Sequence, residues 1–135
     1  MQSTLTWEAP WGLHVHVAGV LTPEEFFART TSVTQDPRFN DLRYAILNYL
    51  DVPSHTFDLN DSAALAHANA MLIGATTTNP HIVAAIVARP AILDLARTMA
   101  EVSKIRWRIG FFESELKALE WLSTQSLVFR QRPLA

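Results

Sequence analysis

Residues 43–52 constrain the fold of this chain more than any other stretch. They read Arg-Tyr-Ala-Ile-Leu-Asn-Tyr-Leu-Asp-Val, and residues 44–50 carry no charge. Asp41 precedes the run, and Asp51 and Pro53 close it. A run that is mainly apolar on both alternating faces reads as a strand covered on both sides, the habit of a parallel sheet. Parallel neighbours need long crossover connections, and helical patterns lie on either side of this run. It is placed as the central strand.

The preceding residues read as an edge hairpin. Leu5-Thr6-Trp7 is a short extended piece, and Pro10-Trp11-Gly12 breaks the chain as a tight turn would. Residues 13–20 then alternate, with Leu13, Val15 and Val17 on one face and His14, His16 and Ala18 on the other. Thr22-Pro23-Glu24-Glu25 is a capping box with proline at the first helical position, and Leu21 and Phe26 are placed to staple it. The helix it starts runs towards Thr34 and stops at Asp36-Pro37, because the residue before proline disfavours helical backbone.

After the central strand come three more helices and two more strands. An alanine-rich helix spans residues 61–73, with Leu65, Ala68 and Leu72 on one stripe, and Gly74 with the Thr-Thr-Thr-Asn-Pro run of residues 76–80 finishes it. Residues 81–88 form a second buried strand. Pro90 starts a helix with Ile92, Leu95, Ala96 and Met99 inward. Residues 106–112 form an alternating strand, and Ser114 or Glu113 caps a last helix with Leu116, Leu119 and Leu122 inward. The order is β-β-α-β-α-β-α-β-α, an open α/β sheet that is mostly parallel with one antiparallel edge strand. Residues 1–125 make one domain, and residues 126–135 make an apolar tail.

Composition narrows the function classes. The 11 basic and 13 acidic residues are mixed along the chain and give a net charge of −2, so no basic stripe for nucleic acid exists. There is no cysteine, which removes disulfides, thiolate chemistry and cysteine-based metal centres. The longest apolar run, residues 82–88, is far short of the ~20 residues of a membrane span. Residues 1–10 lack the basic and apolar regions of a secretory signal. A soluble, cytoplasmic protein is the expectation.

Candidate chemistry is sparse. In open sheets of this kind ligands bind beyond the carboxyl ends of the strands. Here that rim collects Thr22, Asp51, Ser54, His55, Asp61, Arg89 and Glu113. Asp51, Ser54 and His55 supply the residue types of a catalytic triad, but no Gly-x-Ser-x-Gly elbow accompanies them, so a turn bonded to its own backbone is the reading adopted. His14 and His16 share a strand face and can chelate a metal, yet the spacing names no third ligand; no metal or other cofactor is assigned. The four glycines are isolated and form no phosphate-cradling loop. Trp7, Trp107 and Trp121 read as core, and Trp11 as a turn residue.

Three stretches resemble the SpoIIAA-like, or STAS, family, and in particular its small bacterial proteins also described as STAS/CRAL-TRIO-like. They are Gly19-Val20-Leu21-Thr22-Pro23-Glu24-Glu25, then Asp36-Pro37-Arg38-Phe39 followed by the strand of residues 47–52, then Ala118-Leu119-Glu120-Trp121-Leu122 in the last helix. With the element order, the likeness spans residues 14–123. It implies a SpoIIAA-like sheet. In anti-sigma-factor antagonists of this superfamily, a serine in an Asp-Ser-Ser-Gly loop is phosphorylated by a partner kinase. Asp61-Ser62 is the nearest match, with Ala63-Ala64 in place of Ser-Gly. The resemblance therefore points to a non-enzymatic regulatory module with a protein partner and a phospho-site at Ser62. Two alternatives stand beside it. One is a small carrier of an apolar, lipid-like ligand, held where the alanine-rich helix leaves room against the sheet with Met71 and Met99 as lining. The other is an enzyme using Asp51, His55 or Arg89. The edge hairpin and apolar tail also predict a homodimer.

Overall fold

The computed structural model describes residues 2–8, 11–58, 62–103 and 106–125, and for residues 62–65 and 69 the backbone alone. The elements follow in the expected order. They are β1 (Gln2–Glu8), β2 (Gly12–Ala18), α1 (Pro23–Gln35), a 3-10 turn (Pro37–Asp41), β3 (Tyr44–Asp51), α2 (Ser62–Thr78), β4 (Val83–Val87), α3 (Pro90–Ser103), β5 (Arg108–Phe112) and α4 (Glu115–Thr124). The strands form one sheet in the order β1-β2-β3-β4-β5. β1 and β2 are antiparallel, and every later pair is parallel. The uncharged run is indeed the middle strand. Asp61 and the C-terminal tail lie outside the described residues.

β2 to β5 sit side by side in chain order and run parallel. Right-handed crossovers between such strands place every connecting helix on the same face. That first face carries Leu13, Val15, Val17, Ala45, Tyr49, Ala84 and Ile86, packed with Phe26 of α1, Ala68 and Ala75 of α2, and Ile92, Leu95 and Met99 of α3. α4 follows the last strand and covers the second face, where Ala118 and Leu122 meet Ile46, Val83, Ala85 and Val87. β4 is buried along its whole length because helices lie on both of its faces.

The Thr22 half of the capping box is in place, with Thr22 Oγ1 accepting from the Glu25 N–H at 3.3 Å. Two boundary expectations need correction. α2 does not stop at Gly74 but continues to Thr78. The hydroxyls of Thr76 and Thr77 donate to the Ile73 carbonyl and that of Thr78 to the Gly74 carbonyl, which keeps the threonines in the helix. The helix ends instead before Asn79-Pro80, where proline disfavours it. On α4, Leu116 and Leu119 face solvent at 66% and 45% exposure, and Ala118 is the fully buried residue. An alanine brings the helix axis close to the sheet, so the inward stripe runs through Ala118 and Leu122, four residues apart. Among the described residues no helix is long and apolar enough to cross a membrane.

Asn79 joins three of these parts. Its buried amide donates to the carbonyls of Phe39 and Leu42 at 2.7 and 2.8 Å. Its Oδ1 accepts from the His81 N–H, and its own carbonyl accepts from Trp107 Nε1 at 2.7 Å. The side chain thus ties the 3-10 turn to the entry of β4. Asn79→Ala removes both amide bonds, while the Phe39 carbonyl keeps the Leu42 N–H and the Leu42 carbonyl keeps Arg43 Nη1, and it is expected to cost about 2 kcal/mol in urea unfolding. A loss below ~1 kcal/mol, within the range of an ordinary solvated bond, would mean that water replaces the amide.

Candidate functional site

Between the first face of the sheet and its three helices lie two hollows of about 100 and 110 Å³. Phe26, Leu47, Tyr49, Leu72, Ala84 and Trp107 border both, so the hollows are two adjoining apolar lobes with a shared wall. The first lobe extends towards Ile86, Leu95 and Met99, and the second towards Val15 and Arg29. The sequence of α2 explains the gap. From Ser62 to Thr78 it holds mostly alanine, glycine and threonine and no Asp, Glu, Lys or Arg. It packs on α1 and α3 rather than deeply on the strands. Among the described side chains of α2, Leu72 is the one that borders both lobes. Met99 lines the space as expected. Met71 does not, because it sits on the outer side of α2 beside Thr34 and Ala70.

Among the described residues, one charged side chain enters this apolar region. Arg29 of α1 is 8% exposed. Its Nη2 donates to Tyr49 Oη at 2.7 Å, and its guanidinium lies 5.7 and 5.3 Å from the ring centres of Phe26 and Tyr49. Nη1 is buried and has no hydrogen-bond partner. Cation–π contact on two rings offsets part of the desolvation, but an unbonded donor still carries a penalty.

The second face is polar over β1 and β2. The ring of His14 lies between Glu8 and Glu115, at 3.7 and 3.6 Å. Tyr44 Oη donates to Glu8 Oε2 at 2.8 Å, and Asn48 Nδ2 to Glu115 Oε2 at 3.3 Å. His16 Nε2 pairs with Asp51 Oδ2 at 2.7 Å. The two histidines thus turn to different carboxylates. Among the described residues no group of three or more His, Cys, Asp or Glu is placed to hold a metal.

The strand-end residues are held mainly by backbone. Thr22 caps α1. Leu21 N donates to the Ser54 carbonyl and Thr56 N to the Leu21 carbonyl, so Leu21 and His55 form an isolated parallel bridge. His55 Nδ1 accepts from the Phe57 N–H at 3.1 Å. Arg89 Nε donates to the Leu50 carbonyl at 3.0 Å, and Asp51 is engaged by His16. Glu113 is exposed, and Ser114 caps α4. Ser62 is the first residue of α2, and its side chain lies outside the described part. β2 to β5 follow in chain order, so the sheet has none of the order reversal that opens a crevice in doubly wound folds.

A solved structure described as an uncharacterised protein of the DUF3478 family with a SpoIIAA-like fold, from Shewanella loihica PV-4, matches this architecture. The TM-score is 0.52, the identity 15%, and the match covers 90% of this chain and 92% of that one. This chain has a SpoIIAA-like fold. No family model and no curated protein matches it. At 15% identity the likeness is one of fold alone.

Arg29 and Tyr49 went unmarked in the sequence reading. A signal was present, because Phe26, Arg29 and Val33 share the inward stripe of α1 and an arginine there is out of place. On the second face, burial first and the Glu8 bond second push the Tyr44 phenol up to about 12 from an ordinary 10.0. Gly12 lies beneath the ring, where any Cβ would collide with it. The folded protein therefore holds the phenol proton more tightly than the unfolded chain. Tyr44 stabilises the fold below pH 10 and loses that contribution as pH rises from 10 to about 12. In an absorbance titration of tyrosinate, Glu8→Gln should bring the late step to lower pH. An unmoved step would assign the shift to burial alone.

Proposed function

We propose that the protein is a non-catalytic binding module whose ligand is a small apolar molecule held between the sheet and α1, α2 and α3. The adjacency of the two lobes, which share six wall residues, carries this reading. A cavity of roughly 150 Å³ lined by aliphatic and aromatic side chains stays dry and admits benzene. Either lobe alone is smaller than that, and the two joined are larger, which suits a medium alkyl chain or a single ring. The backbone bonding of His55 and Arg89 supports a module without catalysis.

1-Octanol is a neutral probe of this space. Calorimetry should show binding to the wild type, and Ala84→Leu, which fills the wall common to both lobes, should weaken it at least tenfold while unfolding stays cooperative. Equal binding by that variant would place the ligand elsewhere.

A regulatory switch at Ser62 belongs to the same proposal. Ser62 opens α2, the helix that closes the space, and a phosphate there would lie at the positive end of that helix. Ser62→Glu is expected to alter 1-octanol affinity and capture of a protein partner. Behaviour identical to Ser62→Ala in both assays would remove the switch. The edge position of β1 supports a homodimer, and a monomeric mass at micromolar concentration would refute it.

A further inference from the structure

We propose that the ligand of this space is a monocarboxylate with an apolar tail, its head on Arg29 and Tyr49 and its tail among Leu47, Leu72, Ile86 and Met99. The inference rests on the binding reading above and goes further by naming the head group.

Its basis is the chemistry of the buried arginine. Arg29 is more than nine-tenths buried and lines the second lobe. Its polar contact is Tyr49 Oη, and no carboxylate pairs with it among the described residues. A guanidinium presents five donors in a fixed fork and cannot shed its charge by deprotonation. Burial therefore leaves a cation compensated only in part, by two rings and one phenol, with one nitrogen unbonded beside an otherwise apolar space. Glu25 stands one turn earlier on α1 and shares an outer hollow with Arg29.

A carboxylate complements this arrangement in three respects. It neutralises the charge where little water screens it. It accepts from Nη1, and planar carboxylates match the guanidinium fork. Tyr49 Oη, which accepts from Nη2, keeps its own proton to donate to the second carboxylate oxygen. Tyr49 borders both lobes, so a head group held there has the first lobe open to its tail. A neutral alcohol would fill the same volume and leave the cation unpaired. An alkylammonium would add a second buried positive charge.

The test compares octanoate, 1-octanol and octylamine by calorimetry on the full chain, with Arg29→Gln and Tyr49→Phe as variants. Octanoate should bind the wild type at least tenfold more tightly than 1-octanol, and octylamine should be the weakest. Arg29→Gln should erase the preference, so that octanoate and 1-octanol bind that variant within about twofold of each other, as expected for loss of one charge-assisted contact. The wild-type comparison does not depend on the folding of any variant. If octanoate and 1-octanol bind equally, the head-group assignment fails and the apolar reading stands. If neither binds, both fail.

Discussion

The handedness of crossover connections organises this molecule. Four consecutive parallel strands laid down in one direction send all their connecting helices to one side of the sheet. Among the described residues, three helices therefore share the first face, and the second receives only α4, the helix free of that rule. One helix is too narrow to cover five strands. It seats on β4 and β5, and β1 and β2 keep a wet face. The polar residues on that face, His14, His16 and Glu8, follow from the topology before any chemistry is asked of them.

The crowded face has the opposite problem. Three helices must share it, and α2, the middle one, is made mostly of small residues and packs chiefly on α1 and α3. At about 24 cal/mol per Å³, lobes of 100 and 110 Å³ each forgo about 2 kcal/mol of packing. The unbonded donor of Arg29 adds about 1–3 kcal/mol. A chain of this length folds with a margin of only about 5–15 kcal/mol, so both features weigh heavily against stability. Departures from close packing and polar satisfaction that meet at one place are the expected mark of a binding site.

The architecture was legible in the sequence because its signals are local. The Thr22 cap, the Asp36-Pro37 stop and the alternation of β2 depend on neighbours within a few residues. Two misplacements and the missed Arg29–Tyr49 pairing share the opposite cause. Gly74 stays helical because threonines further along bond back to the preceding turn. Leu116 and Leu119 lose the inward position to Ala118 because the distance between α4 and the sheet selects the smaller residue. Arg29 is buried because Tyr49, twenty positions away, supplies its partner. Each depends on a partner or a spacing that exists only after the chain has folded.

The same distinction separates the two groups of polar residues. His16–Asp51 and His14–Glu8 are partly exposed pairs on an open face, where solvent screening leaves such contacts worth at most ~1 kcal/mol. They are the ordinary furnishing of a half-solvated sheet. Arg29 cannot be explained in that way, because removing a guanidinium from water is unfavourable unless something interacts with it. The rings of Phe26 and Tyr49 and one phenol oxygen answer part of that need. A methionine at this position would pack on the same rings without the desolvation penalty. The fold therefore does not require a cation at the head of its apolar space, and the reason for one is to be sought in what the space receives.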